Sequence, residues 1–338
     1  MIPLRGAPTV LRRGLQWARR HRLVVVVALS ILAGIAIGTF AGYQGSRGGL
    51  HARAGRLVGA DVTAAGADEV STYWNVHLRS TSGLTPVAQI RVPRSGTPPY
   101  PTGVLMGGLN RGRRIVNARG LEDIARVAVV LSLDYPLKHG PRGSSRELVT
   151  AAARLRPAGL DTIAEILLAL DYLESRPDVD RGRMFLVGAS LGAPVVTIAG
   201  AVDDRPAAVI ALYGGGQLGS LVASTLQHHD QRHPYPRWQA LVLGHALAWL
   251  LTPLDPVRYA ADIAPRPYLM VNGDDDSLIP PPNVEAVFAA AREPKTLMWI
   301  EGEHIQPDED VLIRRLTSQI RAWLGARGLL PPVLAHPA

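Results

Sequence analysis

The chain has 338 residues, 47% of them hydrophobic and 19% charged, which is enough apolar material for a large core and too much for a disordered protein. It contains no cysteine, which excludes disulfides, thiolate metal ligands and a cysteine nucleophile. The formal net charge is +8, but residues 1–56 hold nine arginines and no acid, so removing those nine charges leaves the remainder at −1 and argues against nucleic acid as a partner.

In chain order, the first feature is a basic segment, 1–22, carrying Arg5, Arg12, Arg13, Arg19, Arg20 and Arg22. Leu23 to Tyr43 then has no charge, and at about 1.5 Å per residue it is long enough to cross a hydrocarbon core of about 30 Å. It reads as one transmembrane helix over 23–43. The arginine excess before it holds the N-terminus in the cytoplasm, so the expected topology is a single-pass signal anchor in the cytoplasmic membrane, with the lipid bilayer as a partner and the rest of the chain outside. A cleaved signal peptide is the competing reading, because Thr39-Phe40-Ala41 is a small-x-small site, but the apolar run exceeds the usual core of roughly 7–15 residues. Gly34, Gly38 and Gly42 have the spacing of a helix-packing face. Residues 44–72 are rich in glycine and alanine without periodicity and read as a linker.

Residues 73–325 alternate strand-like and helix-like patterns, which predicts an α/β domain with a mostly parallel sheet and flanking helices. Asn75 to Arg79 and Val87 to Val92 suggest a hairpin around Ser82-Gly83, and Val127 to Leu133 is a buried-strand pattern. Thr162 and Glu165 have capping-box spacing and open a helix whose Ile163, Ile166, Leu167, Leu170 and Leu173 share one face. Ala207 to Tyr213 is a further strand. Residues 214–265 are too many for an ordinary connection. Within them Trp238 to Leu251 is almost wholly apolar and reads as a helical cap over the site, suited to an acyl or aromatic substrate; a helix packed on the sheet is the equal alternative. Leu312, Leu316, Ile320 and Trp323 mark a closing amphipathic helix, and 326–338 form a tail.

The densest chemical signal is Gly188-Ala189-Ser190-Leu191-Gly192, which follows the apolar run Met184 to Val187 and precedes the helix-like run Ala193 to Ala201. A Gly-x-Ser-x-Gly between strand and helix is a nucleophile elbow, a turn so tight that side chains two residues either side of the serine would collide with their neighbours. Further along the chain an acid and then a base appear. Tyr268 to Val271 is strand-like and breaks into Asn272-Gly273-Asp274-Asp275-Asp276, and Leu297 to Ile300 opens into Glu301-Gly302-Glu303-His304. An acid and a histidine just past strand C-termini are where a parallel sheet gathers catalytic groups.

These motifs, Ser190 in its elbow, Gly273-x-x-Asp276 ending in Pro280, and Gly302-x-His304, resemble the α/β-hydrolases, most similarly the dienelactone-hydrolase-like and acetyl-xylan-esterase-like serine esterases, over about Tyr73 to Leu324. The resemblance implies Ser190 as nucleophile, His304 as base and Asp276 as the acid, with Asp274 and Asp275 as alternatives, and no cofactor. It also implies an oxyanion hole from the backbone N–H groups of Leu191 and of Gly108 or Leu109. Met106 stands where such enzymes often carry a histidine.

The expected activity is hydrolysis of a small-molecule carboxylic ester through an acyl-enzyme. An acyltransferase or thioesterase on the same fold, and a catalytically silent anchored scaffold, are the alternatives. Arg111, Arg113 and Arg114 could bind a substrate carboxylate or phosphate, but more often form a solvated loop. His228, His229, Asp230 and His233 resemble a metal site that Pro234 disrupts, so no metal is expected.

Overall fold

The computed structural model describes residues 26, 38, 42–108, 112–136, 145–228, 237–306 and 309–332. Helix α1 (Arg47–Ala54) leads into strands β1 (Leu57–Ala67), β2 (Ser71–Ser80), β3 (Val87–Pro93) and β4 (Tyr100–Met106). After a 3-10 turn at Gly112–Asn117 come α2 (Glu122–Ala125), β5 (Val129–Leu133), α3 (Ser145–Glu174), β6 (Val179–Ala189), α4 (Gly192–Val202) and β7 (Ala208–Leu212). Helices α5 (Leu218–His228) and α6 (Arg237–Leu251) precede β8 (Tyr268–Gly273), α7 (Pro281–Ala290), β9 (Lys295–Ile300) and α8 (Asp310–Gly325).

Among the described residues the strands form one sheet in the order β1-β2-β3-β5-β4-β6-β7-β8-β9. The pairings from β1 through β3 to β5 are antiparallel, and every pairing from β5 to β9 is parallel. Strands β5, β7 and β8 are buried at every position, as parallel strands covered by helices on both faces must be. Side chains of a strand alternate between its faces. Accordingly Met184, Leu186, Val209, Ala211 and Met270 join one core beneath α3 and α4, while Phe185, Val187, Ile210, Leu212 and Val271 join a second core beneath α8. Chain connections leave β4 toward β5 on one side and reach β6 on the other, and the crevice at such a switch point, above the strand C-termini, is where α/β sheets bind ligands.

Two expectations need correction. Residues 44–72 are not a linker. Helix α1 is capped by Ser46, whose Oγ accepts from the Gly49 N–H at 3.1 Å, and β1 pairs antiparallel with β2. Strand β1 is an edge strand exposed along most of its length, so a backbone ladder holds it and no apolar period betrays it. The contacts accordingly make Ser46–Ala338 one unit, beginning before Tyr73. Nor does Thr162 start a helix. It lies inside α3, which begins at Ser145, and its hydroxyl donates to the Ala158 carbonyl one turn back at 2.8 Å.

The hairpin expected around Ser82-Gly83 is present, with His77 opposite Val87. Residues 214–265 contain α5 and α6, which pack on one another and, through α6, on α3. Trp238, Val242 and Trp249 of α6 are exposed. The expected span over 23–43 lies almost wholly outside the described residues, among which no helix is long and apolar enough to cross a membrane.

Candidate active site

Ser190 sits at the C-terminal end of β6 with a φ of 54°, a left-handed conformation that costs a non-glycine residue roughly 1–3 kcal/mol. Two backbone bonds hold it there: the Ser190 N–H donates to the Leu212 carbonyl at 2.9 Å, and the Ala193 N–H donates back to the Ser190 carbonyl at 3.0 Å. A methyl group on Gly188 would collide with the Gly192 carbonyl, and one on Gly192 would collide with the Met106 carbonyl at the end of β4. The glycines are therefore what lets strand, turn and helix approach closely enough to present the hydroxyl.

The Ser190 Oγ lies 2.8 Å from Nε2 of His304, and Nδ1 of His304 lies 2.7 Å from Oδ2 of Asp276. An ionised carboxylate can only accept, so Nδ1 carries the proton and Nε2 is left to accept from the serine. Asp276 is fully engaged, because its Oδ1 accepts from the Leu278 and Ile279 N–H groups at 2.9 and 2.8 Å. Asp276 and His304 are both buried, and the Tyr213 ring meets the imidazole edge-on at 5.6 Å. Tyr213 itself has a φ of 50°, and its N–H donates to the Val271 carbonyl at 2.8 Å.

The loops carrying the acid and the histidine are joined to each other. The Asp274 N–H donates to the Ile300 carbonyl, the Asp275 N–H to the Gly302 carbonyl, and the Gly302 N–H to Asp274 Oδ1. Glu303 accepts from both the N–H and the hydroxyl of Ser277 at 3.1 and 3.0 Å, and these bonds hold its carboxyl below the usual range. Asp274 is thus tied into the loop junction, and of the three consecutive aspartates it is Asp276 that reaches the imidazole.

The Leu191 N–H opens α4 and has no acceptor among the described residues, and Gly108, two residues past β4, lines the cavity that opens on Ser190. Tyr135 donates its hydroxyl to the Gly107 carbonyl and so steadies that loop from β5. Leu109, the alternative oxyanion donor, lies outside the described residues. Met106, where the resemblance leads one to expect a histidine, is buried in the core beneath α4.

A cavity of about 360 Å³ opens on Ser190 and His304. Its lining comes from β4, the 115–121 segment, β6, the loops after β8 and β9, and α8. No described residue of α5 or α6 lines it; the two helices pack on one another, and α6 packs on α3. Sequence reading missed the contributions of Tyr213 and α8 to this site. The only sequence signal for α8 was an apolar stripe with an ordinary core reading.

The three arginines after the β4 loop are only partly described. Arg113 is paired with Asp134 through its N–H at 3.0 Å and its guanidinium at 3.1 Å, Arg114 is exposed, and Arg111 lies outside the described residues. Of the histidine cluster, His229, Asp230 and His233 also lie outside them.

No protein-family model matches the chain. Among solved structures, an acetyl xylan esterase from a Paenibacillus species superposes with a TM-score of 0.60 at 16% identity, covering 81% of this chain and 92% of the other. Acetyl xylan esterase 1 from a Thermoanaerobacterium species gives a TM-score of 0.53 at 15% identity, covering 77% and 87%. The chain has the α/β-hydrolase fold. By sequence, an uncharacterised protein of Mycobacterium tuberculosis is 27% identical over 175 residues, which are 52% of this chain and 56% of that protein. The chain thus spans about half the length of the curated relatives it matches. In this α/β-hydrolase fold the serine, acid and histidine lie just past the ends of β6, β8 and β9, in sequence order within the sheet's parallel half, with β7 between the first two.

Proposed function

We propose that the chain is a serine hydrolase that cleaves a carboxylic ester through an acyl-enzyme. The observation that carries this reading is the hydrogen-bonded series Ser190–His304–Asp276 at the mouth of an apolar cavity. Ser190 Oγ attacks the ester carbonyl as its proton passes to His304 Nε2, and Asp276 keeps the imidazole in the required tautomer and stabilises the imidazolium. The oxyanion is held by the N–H of Leu191 and by Gly108 or Leu109 of the β4 loop. Collapse of the tetrahedral adduct breaks the ester bond, and the alcohol leaves with the proton from His304. Water then repeats the attack on the acyl-enzyme and releases the acid. An acceptor other than water at that second stage would make the same site an acyltransferase.

The test is covalent. The chain should be labelled by a fluorophosphonate and should turn over short p-nitrophenyl esters, and Ser190→Ala should abolish both while leaving the fold intact. Undiminished labelling of the Ser190→Ala protein would remove this serine from the mechanism. The reading of 23–43 as a signal anchor, with the catalytic unit outside the cytoplasm, is part of the same proposal. It is supported by the uncharged run and by the six arginines before it.

A further inference from the structure

The size and chemistry of the cavity bear on the acyl group. Its volume of about 360 Å³ is near the lower end of the roughly 300–1,000 Å³ typical of small-molecule sites. Its apolar lining includes Ala118 and Leu121, and Ile313, Leu316 and Ile320 of α8. Ile313 and Ile320 are seven residues apart on one helix, so at about 1.5 Å per residue the apolar wall extends for about 10 Å. An extended chain of single carbon–carbon bonds of about 1.5 Å covers that distance with about eight carbons. An acetyl group would leave most of this space unfilled.

Among the described residues the lining has no group to receive a charge. Besides Ser190 and His304 its polar side chains are Gln306 and Thr317, both neutral, and Arg113 is already paired with Asp134. A carboxylate on the acyl chain would be desolvated there without a counter-ion, which is strongly unfavourable. The alcohol is the wrong occupant for a different reason. It must leave, and water must take its place beside His304, so it belongs on the open side near the exposed Leu191 and Leu278.

We infer that the cavity is an acyl pocket for a neutral, medium-length alkyl or alkenyl chain of up to about eight carbons, a reading that rests on the ester hydrolase proposed above. The experiment is a chain-length series of p-nitrophenyl esters from acetate to dodecanoate on the full chain, with octyl acetate as the case in which only the alcohol is long. kcat/KM should rise by up to about fourfold per buried methylene as far as octanoate and then level or fall. Ala118→Trp, which adds bulk to the lining, should lower the octanoate-to-acetate ratio of kcat/KM at least about tenfold. Ile320→Ala should move the optimum to longer chains. Because Ala118→Trp could disturb folding, a second measurement uses the unaltered protein: an octyl fluorophosphonate should inactivate it faster than an ethyl one. Turnover with acetate preferred, a preference that follows alcohol length, or equal inactivation by the two phosphonates overturns the acyl pocket alone. No turnover of any ester and no labelling of Ser190 overturns both readings.

Discussion

Asp276 meets His304 with one carboxylate oxygen, Oδ2, at 2.7 Å, while its other oxygen is occupied by the amides of Leu278 and Ile279. The carboxylate is therefore fixed in rotation, and it fixes the imidazole in turn. An amide in its place can present N–H to Nδ1 and so stabilises the wrong tautomer. Asp276→Asn should lower the acylation rate roughly ten-thousandfold with little change in stability. Asp274→Asn and Asp275→Asn should do much less, since neither residue bonds the histidine. Burst kinetics with a p-nitrophenyl ester measure this directly, and a larger loss at Asp274 or Asp275 would move the acid.

Gly192 is in close contact with the carbonyl of Met106, so the elbow and the oxyanion loop occupy one another's space. Gly192→Ala should displace the β4 end with Gly107 and Gly108 behind it. Loss of one oxyanion donor typically costs about 100- to 1,000-fold in rate, and a drop in kcat of that order is expected here. The crowding should also cost roughly 1–3 kcal/mol of stability. Thermal unfolding and single-turnover kinetics read the two effects separately. Unchanged kcat would show that the loop yields without consequence.

Glu165 on α3 is buried, and its Oε2 has no hydrogen-bond partner among the described residues. Burial, with added repulsion from Asp161 and Asp134, pushes its carboxyl up to about 8 from 4.5. Between those values the folded state keeps a proton that the unfolded chain releases, so stability is fully present below about pH 4.5 and declines as pH rises through 8. The decline should amount to a few kcal/mol at most. Glu165→Gln should flatten it, raising the unfolding temperature at pH 8–9 relative to the unaltered protein and changing it less at pH 5. An unaltered pH slope in the Gln variant would show that Glu165 does not carry the effect.

The unit that contains the site begins at Ser46, and no candidate catalytic residue precedes Gly108. The full chain should partition with membranes and resist carbonate extraction. Removal of residues 1–45 should release the hydrolytic activity into solution. Full-length protein extracted by carbonate would argue against an anchor, and a mature form beginning near Gly42 would establish cleavage instead.

The sequence by itself determined the parallel half of the sheet and which serine, aspartate and histidine come together, Ser190, Asp276 and His304. Strands buried on both faces read as unbroken apolar runs, as in Ala207 to Tyr213 and Tyr268 to Val271, and a strained turn demands glycine at fixed positions around Ser190. Such signals are local, because steric crowding and desolvation act on the residue itself. Strand β1 was illegible because an exposed edge strand is held by backbone hydrogen bonds, which any side chain permits. Thr162 and Glu165 satisfy a capping pattern, yet α3 begins at Ser145, well before them, and Thr162 turns its hydroxyl back to the Ala158 carbonyl within the helix. Only the tertiary structure decided what surrounds Ser190. Leu316 and Ile320 have the spacing of ordinary core residues on α8, and Trp238 to Leu251 has the composition of a cover. Which of the two helices faces Ser190 depends on where the chain brings each against the sheet, and no periodicity within a helix encodes that.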